Sequence, residues 1–153
     1  MENLSEIIVN KLIEKNKTIS FMESCTGGFL ANQITNIPGA SNILKASLVT
    51  YSNEFKIKFG VSKDTIKKYT VYSLETAKEM AKNVAGFANS SLGIGVTGEL
   101  ANSKKEENKV FYAIYDSKTN NYSEGIIFVE PDIREKMKLY VANIILKDIL
   151  GKI

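Results

Sequence analysis

Residues 18–28 constrain the architecture of this chain more than any other stretch. Thr18 to Met22 reads as a short apolar strand, and Glu23-Ser24-Cys25-Thr26-Gly27-Gly28 carries it into an amphipathic helix beginning near Thr26. Phe29, Ile34 and Ile37 supply that helix's apolar positions, and Pro38-Gly39 ends it. The helix start leaves backbone N–H groups without intrahelical partners, and the macrodipole adds partial positive charge there. Two glycines let a ligand approach the backbone closely. A hydroxyl at such a mouth can act as a nucleophile beside an anion site. Equally, Ser24 or Thr26 can simply cap the helix.

The rest of the chain alternates helices with strands and then places a hairpin late. Leu4, Ile7, Ile8 and Leu12 recur at helical spacing over roughly residues 3 to 16. Ala46 to Tyr51 reads as a second strand, and Ser52 to Phe59 as a short helix closed by Gly60. Ser62 opens a small helix through Tyr69, and Ser73 caps a longer one with Leu74, Ala77, Met80, Ala81 and Val84 on one face. Leu92 to Val96 is a buried strand ending in Thr97-Gly98, and a polar loop follows from Glu99 to Asn108. Val110 to Tyr115 and Gly125 to Val129 form an antiparallel hairpin across Asn120-Asn121. A last helix runs from Asp132 to Leu150, its apolar face built from Met137, Val141, Ile144, Ile145 and Ile149. This order predicts an α/β fold: one three-layer α/β/α domain over residues 1–153, with a mixed, mostly parallel sheet. Ligands of open α/β sheets collect beyond the carboxyl ends of the strands. Ser24, Tyr51 and Thr97 lie at three such ends and converge if those strands are parallel.

Composition narrows the chemistry. The sequence has no histidine, which excludes a Ser-His-Asp triad, a Cys-His pair and the usual His-containing zinc sites. Acid–base work then falls to Lys, Tyr, Asp, Glu, Cys or a group on the substrate, and no carboxylate spacing suggests a metal. A net charge of +3 with scattered lysines argues against nucleic acid. No apolar run reaches membrane-spanning length and no signal peptide is apparent. The single cysteine, Cys25, cannot form an intrachain disulfide, which suits a cytoplasmic location.

With those strand ends in hand, the chain resembles the C-terminal domain of the competence-damage protein CinA, whose stand-alone members include nicotinamide-nucleotide amidohydrolases. The resemblance rests on Glu23-Ser24-Cys25-Thr26-Gly27-Gly28, Ile37-Pro38-Gly39-Ala40-Ser41, Val49-Thr50-Tyr51-Ser52-Asn53-Glu54-Phe55-Lys56 and Gly95-Val96-Thr97-Gly98, in the family's order. It implies hydrolysis of the carboxamide of nicotinamide mononucleotide to nicotinic acid mononucleotide and ammonia. Ser24 would be the nucleophile, with Lys56 and Tyr51 completing the catalytic group. Cys25, Thr26, Gly27, Gly28, Thr97, Gly98 and Arg134 would bind the substrate. No cofactor or metal is implied, the partner is a small pyridine nucleotide, and the family's members suggest a homo-oligomer.

Each assignment has a plainer alternative. Lys56 can be a solvated surface charge, Tyr51 a core or edge aromatic, and Thr97 a strand-end cap. Cys25 is either a second nucleophile or buried packing. Glu23 can bond the helix start, orient Lys56 or simply face solvent. Arg134, the sole arginine, fits bidentate phosphate binding or a surface ion pair. The sequence also departs from the family after Gly98. There the relatives carry a Gly- and Pro-rich loop, and residues 99–108 contain neither. Glu106 and Glu107 would repel a phosphate if they faced the pocket, and Lys104 and Lys105 would offset them. A diverged, inactive binder of a nucleotide or protein, or an amidase for another substrate, therefore stands beside the amidohydrolase.

Overall fold

The structure, a computed structural model, describes residues 3–101 and 108–153. Helix α1 (Leu4–Glu14) starts where the Asn3 side chain accepts the Ser5 N–H, and it buries Ile8, Val9 and Leu12. Strand β1 (Ile19–Glu23) is buried at every residue. Helix α2 (Phe29–Thr35) begins later than Thr26, the residue the sequence pattern pointed to. The cause is local: Gly27 and Gly28 have φ of 60° and 94°, left-handed values that no right-handed helix can include. Helix α2 also stops at Thr35, ahead of Pro38-Gly39, and a single 3-10 turn (Ala40–Asn42) leads on.

Strand β2 (Leu44–Val49) then precedes helices α3 (Asn53–Lys58) and α4 (Lys63–Tyr69), whose N-caps are Ser52 and Ser62. Helix α5 (Leu74–Ala88) is capped by Ser73, whose hydroxyl accepts from the Thr76 N–H. Strands β3 (Leu92–Gly98), β4 (Asn108–Asp116) and β5 (Asn121–Val129) follow, and helix α6 (Arg134–Gly151) closes the chain. The hairpin strands are longer than the sequence pattern indicated, because their polar ends continue the same ladder.

The sheet has the order β2-β1-β3-β4-β5. Strand β1 pairs in parallel with β2 and β3, whereas β3–β4 and β4–β5 are antiparallel. Only β4 therefore runs against the other strands, and the sheet is mixed with one dominant direction. Alternation along the strands assigns the faces. Ile19, Phe21, Ile94 and Val96 meet α1, α2 and α6 in the main core, with Leu12, Ile34, Val141 and Ile145 opposite them. The other face carries Met22 against Met80 and Val84, and Ala113 against Ala77 and Ala81. These are the three layers of an α/β/α fold.

Two glycines set how closely α5 lies on β3. A Cβ added at Gly93 would sit 2.1 Å from the Ala81 carbonyl oxygen, and one at Gly95 would sit 2.2 Å from that of Ala77. No side chain fits, so the helix backbone rests directly on the strand. This contact fixes the carboxyl end of β3 beside the segment that enters α5. There the Thr97 hydroxyl donates to the Val71 carbonyl at 2.9 Å. Among the described residues, no helix is long and apolar enough to cross a membrane.

Candidate functional site

Parallel pairing brings the carboxyl ends of β1 and β2 side by side. Glu23 pairs with Val49, and the Thr50 N–H donates to the Glu23 carbonyl at 2.9 Å. Ser24 and Thr50 therefore emerge as neighbours. Helix α3 starts just beyond, and its one buried residue is a lysine. Lys56 is 2 % exposed, while Phe55 next to it is 44 % exposed. An apolar residue left outside and a cation taken inside is the reverse of ordinary helix amphipathicity.

The Lys56 ammonium donates to Ser24 Oγ at 2.9 Å and to the Thr50 carbonyl at 2.7 Å. Burial holds its pKa below the ordinary lysine value, and the neighbouring Cys25 opposes that shift. Burial disfavours the charged amine, so the group moves toward the neutral form that can accept a proton. Ser24 is itself buried but borders a cavity of about 370 Å3. A hydroxyl within hydrogen-bond reach of a desolvated amine is the arrangement that nucleophilic catalysis without histidine requires.

Cys25 also borders this cavity, yet burial pushes its thiol up to about 12. The thiol is thus protonated at neutral pH and a poor nucleophile beside Ser24. Glu23, fully buried, does not bond Lys56. Its carboxylate accepts from the Thr26 hydroxyl at 2.6 Å and from the Leu30 and Ala31 N–H groups at 3.0 and 3.1 Å. Those are the orphan donors of α2, whose N-cap, Gly28, offers no side chain to take them.

Tyr51 and Arg134 meet at the cavity, far apart in sequence, with Arg134 Nη2 donating to the Tyr51 hydroxyl at 3.0 Å. Gly98 lines the same space. Thr26, Gly27, Gly28 and Thr97 do not line it. Thr26 is held by Glu23, Thr97 faces α5, and the two glycines serve the turn into α2. Lys138, on α6 beyond Arg134, rests its Nζ over that turn, 3.3 Å from where a Gly27 Cβ would be.

Sequence reading did not single out Asn53, Tyr72, Glu99 and Leu100 as site residues, and all four line the cavity. Asn53 lies inside the block around Tyr51 and Lys56. Tyr72 directly precedes the cap of α5, and Glu99 and Leu100 directly follow β3, so position after a strand end was the available signal. Burial raises the Tyr72 phenol above its ordinary value, and the Glu99 carboxylate adds to this. Residues 102–107, including Lys104, Lys105, Glu106 and Glu107, lie outside the described residues. Among the described residues, no group of three or more His, Cys, Asp or Glu side chains could hold a metal ion.

The model of the CinA C-terminal domain family matches residues 1–130. A competence-damage inducible protein of Alkaliphilus oremlandii is 45% identical over 114 residues, covering 74% of this chain and 28% of that protein. One from Clostridium botulinum (strain 657 / Type Ba4) is 38% identical over 142 residues, covering 92% of this chain and 34% of that protein. The chain thus spans about a third of the length of these curated relatives. The crystal structure of a CinA superfamily protein from Escherichia coli superposes with a TM-score of 0.90 at 23% identity, covering 99% of this chain and 90% of that one. CihA from Agrobacterium tumefaciens superposes with a TM-score of 0.88 at 22% identity, covering 99% and 96%. At these identities the two structures speak to the fold.

Proposed function

This chain belongs to the CinA C-terminal domain family, and from that premise we propose that it hydrolyses the carboxamide of nicotinamide mononucleotide, releasing nicotinic acid mononucleotide and ammonia. The observation that carries this reading is the 2.9 Å contact between Ser24 Oγ and the buried Lys56 amine. In the reaction, neutral Lys56 takes the Ser24 proton as Oγ adds to the amide carbon. The tetrahedral oxyanion needs donors. The N–H groups that follow Ser24 serve that purpose, beginning with Cys25 at the edge of the cavity. One such donor is worth about 3 kcal/mol of transition-state stabilisation.

The Lys56 ammonium then returns its proton to the amide nitrogen. The C–N bond breaks, ammonia leaves, and an ester to Ser24 stays behind. Lys56 takes a proton from water as the oxygen adds to the ester and returns it to the departing Ser24 Oγ, and the nicotinic acid product loses its own proton to solvent. Tyr51 relays a proton or holds the departing ammonia. Arg134 supplies the planar, permanently charged fork suited to the phosphate. Assembly into a homo-oligomer belongs to the same proposal, and light scattering in solution checks it.

A second reading, nucleotide binding without turnover, draws on residues 99–108, which lack the glycine and proline of the family's loop. An amidase for another substrate draws on the same departure. Ammonia release from nicotinamide mononucleotide separates these readings. We expect activity in the intact protein and in Cys25→Ala, with a loss of at least about a thousandfold in Ser24→Ala and Lys56→Ala. Binding of the nucleotide without ammonia would move the assignment to the second reading.

A further inference from the structure

The cavity beside Ser24 carries charges of both signs that do not neutralise each other. Arg134 reaches the Tyr51 hydroxyl rather than a carboxylate. Glu99, which lines the same cavity, makes no ion pair among the described residues. Its backbone is fixed, since its N–H donates to the Lys109 carbonyl at 3.1 Å just past the end of β3. A phosphate ligand alone would gain from Arg134 and be repelled by Glu99. The pair is favourable together only for a ligand that brings a positive charge as well as a negative one.

The walls favour the same ligand. Tyr72 and Tyr51 are 48 % and 60 % exposed, so aromatic surface borders the cavity. The face of a tyrosine ring attracts a cation. Glu99 is among the groups that raise the Tyr72 phenol, so the carboxylate and this ring share one region of the cavity. Val71 and Leu100 supply apolar lining, and displacement of water from such a surface strengthens charge recognition.

We propose that Glu99, together with the rings of Tyr72 and Tyr51, recognises a fixed positive charge on the substrate's ring, so that the site selects a cationic pyridinium over a neutral ring of the same shape. The identity of the ligand rests on the amidohydrolase reading. The recognition of charge does not require turnover. It makes Glu99 a specificity residue that acts on binding.

Titration calorimetry on the whole chain tests this with two probes that carry no phosphate, the 1-methylnicotinamide cation and neutral nicotinamide. The expected result is tighter binding of the cation. In Glu99→Gln the cation-to-neutral affinity ratio falls roughly two- to fivefold, the range of an exposed ion pair, with the tyrosines still in place. Glu99→Asp keeps most of the ratio, Tyr72→Phe keeps it, and Tyr72→Leu lowers it. Oxidised and reduced nicotinamide mononucleotide give the same comparison with the phosphate present. Equal binding of cation and neutral ring, no binding of either, or a ratio unchanged in Glu99→Gln overturns the proposal. Absence of ammonia release with the charge preference intact defeats the amidohydrolase reading and leaves this one standing.

Discussion

Glu23 is fully buried, and its carboxylate answers three donors at the start of α2. Replacing it with alanine leaves the Thr26 hydroxyl and two N–H groups without that acceptor inside the fold. Loss of such bonds is expected to cost about 3 kcal/mol or more, because hydrogen bonds to a charged group are the stronger kind. Glu23→Gln keeps one carbonyl acceptor and costs less. Urea unfolding of the two variants beside the parent checks the order. The sequence left Glu23 between bonding the helix start, orienting Lys56 and facing solvent, and its full burial removes the last. Nothing in the spacing could decide, because the bonds reach to Leu30 and Ala31 only after two left-handed glycines have turned the chain. Lys56 was legible through its motif alone. Its bond to Ser24 spans 32 residues, a separation that no local pattern encodes.

At the scale of elements, the α5–β3 contact depends on glycine in a way that hydrophobic periodicity does not register. The pattern Leu92 to Val96 gave a buried strand correctly, since Leu92, Ile94 and Val96 fill one face. The opposite face consists of Gly93 and Gly95, and the absence of side chains carries no periodic signal. Gly95→Ala forces its Cβ against the helix backbone, so we expect a loss of about 2–3 kcal/mol, measured by denaturant unfolding. Gly86 provides the contrast on the same helix. It is exposed, and an added Cβ would meet nothing within 4 Å. Gly86→Ala is expected to stabilise the protein by roughly 0.5–1 kcal/mol through helix propensity and a less flexible unfolded chain. Helix starts capped by serine were readable at Ser62 and Ser73, because there the cap is local chemistry. The start of α2 was not, because its cap comes from the preceding strand.

For the molecule as a whole, the buried lysine couples stability to pH. The folded pKa of Lys56 lies below 10.5, so between those two values the unfolded chain binds the extra proton and stability rises with pH. The Cys25 thiol acts in the opposite sense at higher pH. Its stabilising contribution is complete below the ordinary value of 9.0 and is lost as pH rises through about 12. Comparison with Lys56→Met reduces the thiol's share, since Cys25 is common to both proteins and only its coupling to Lys56 differs. Relative to that variant, the parent is expected to gain unfolding free energy as pH is raised from neutrality toward 10.5, as read from urea curves at each pH. The same shift predicts that amidase activity, where present, climbs with pH as Lys56 loses its proton. The architecture was legible from the alternation of helices and strands, whereas the strand order required tertiary contacts that the sequence pattern does not contain.

Strand β2 is an edge of the sheet, and one of the two acceptors of the Lys56 amine, the Thr50 carbonyl, lies just past its end. Edge strands open more readily than the centre, and they do so while the rest of a domain stays intact. The Ser24–Lys56 pair is therefore exposed to local opening, because part of its support lies at one seam of the sheet. A melting curve followed by backbone signal reports on the core. The nucleophile reports on the hem.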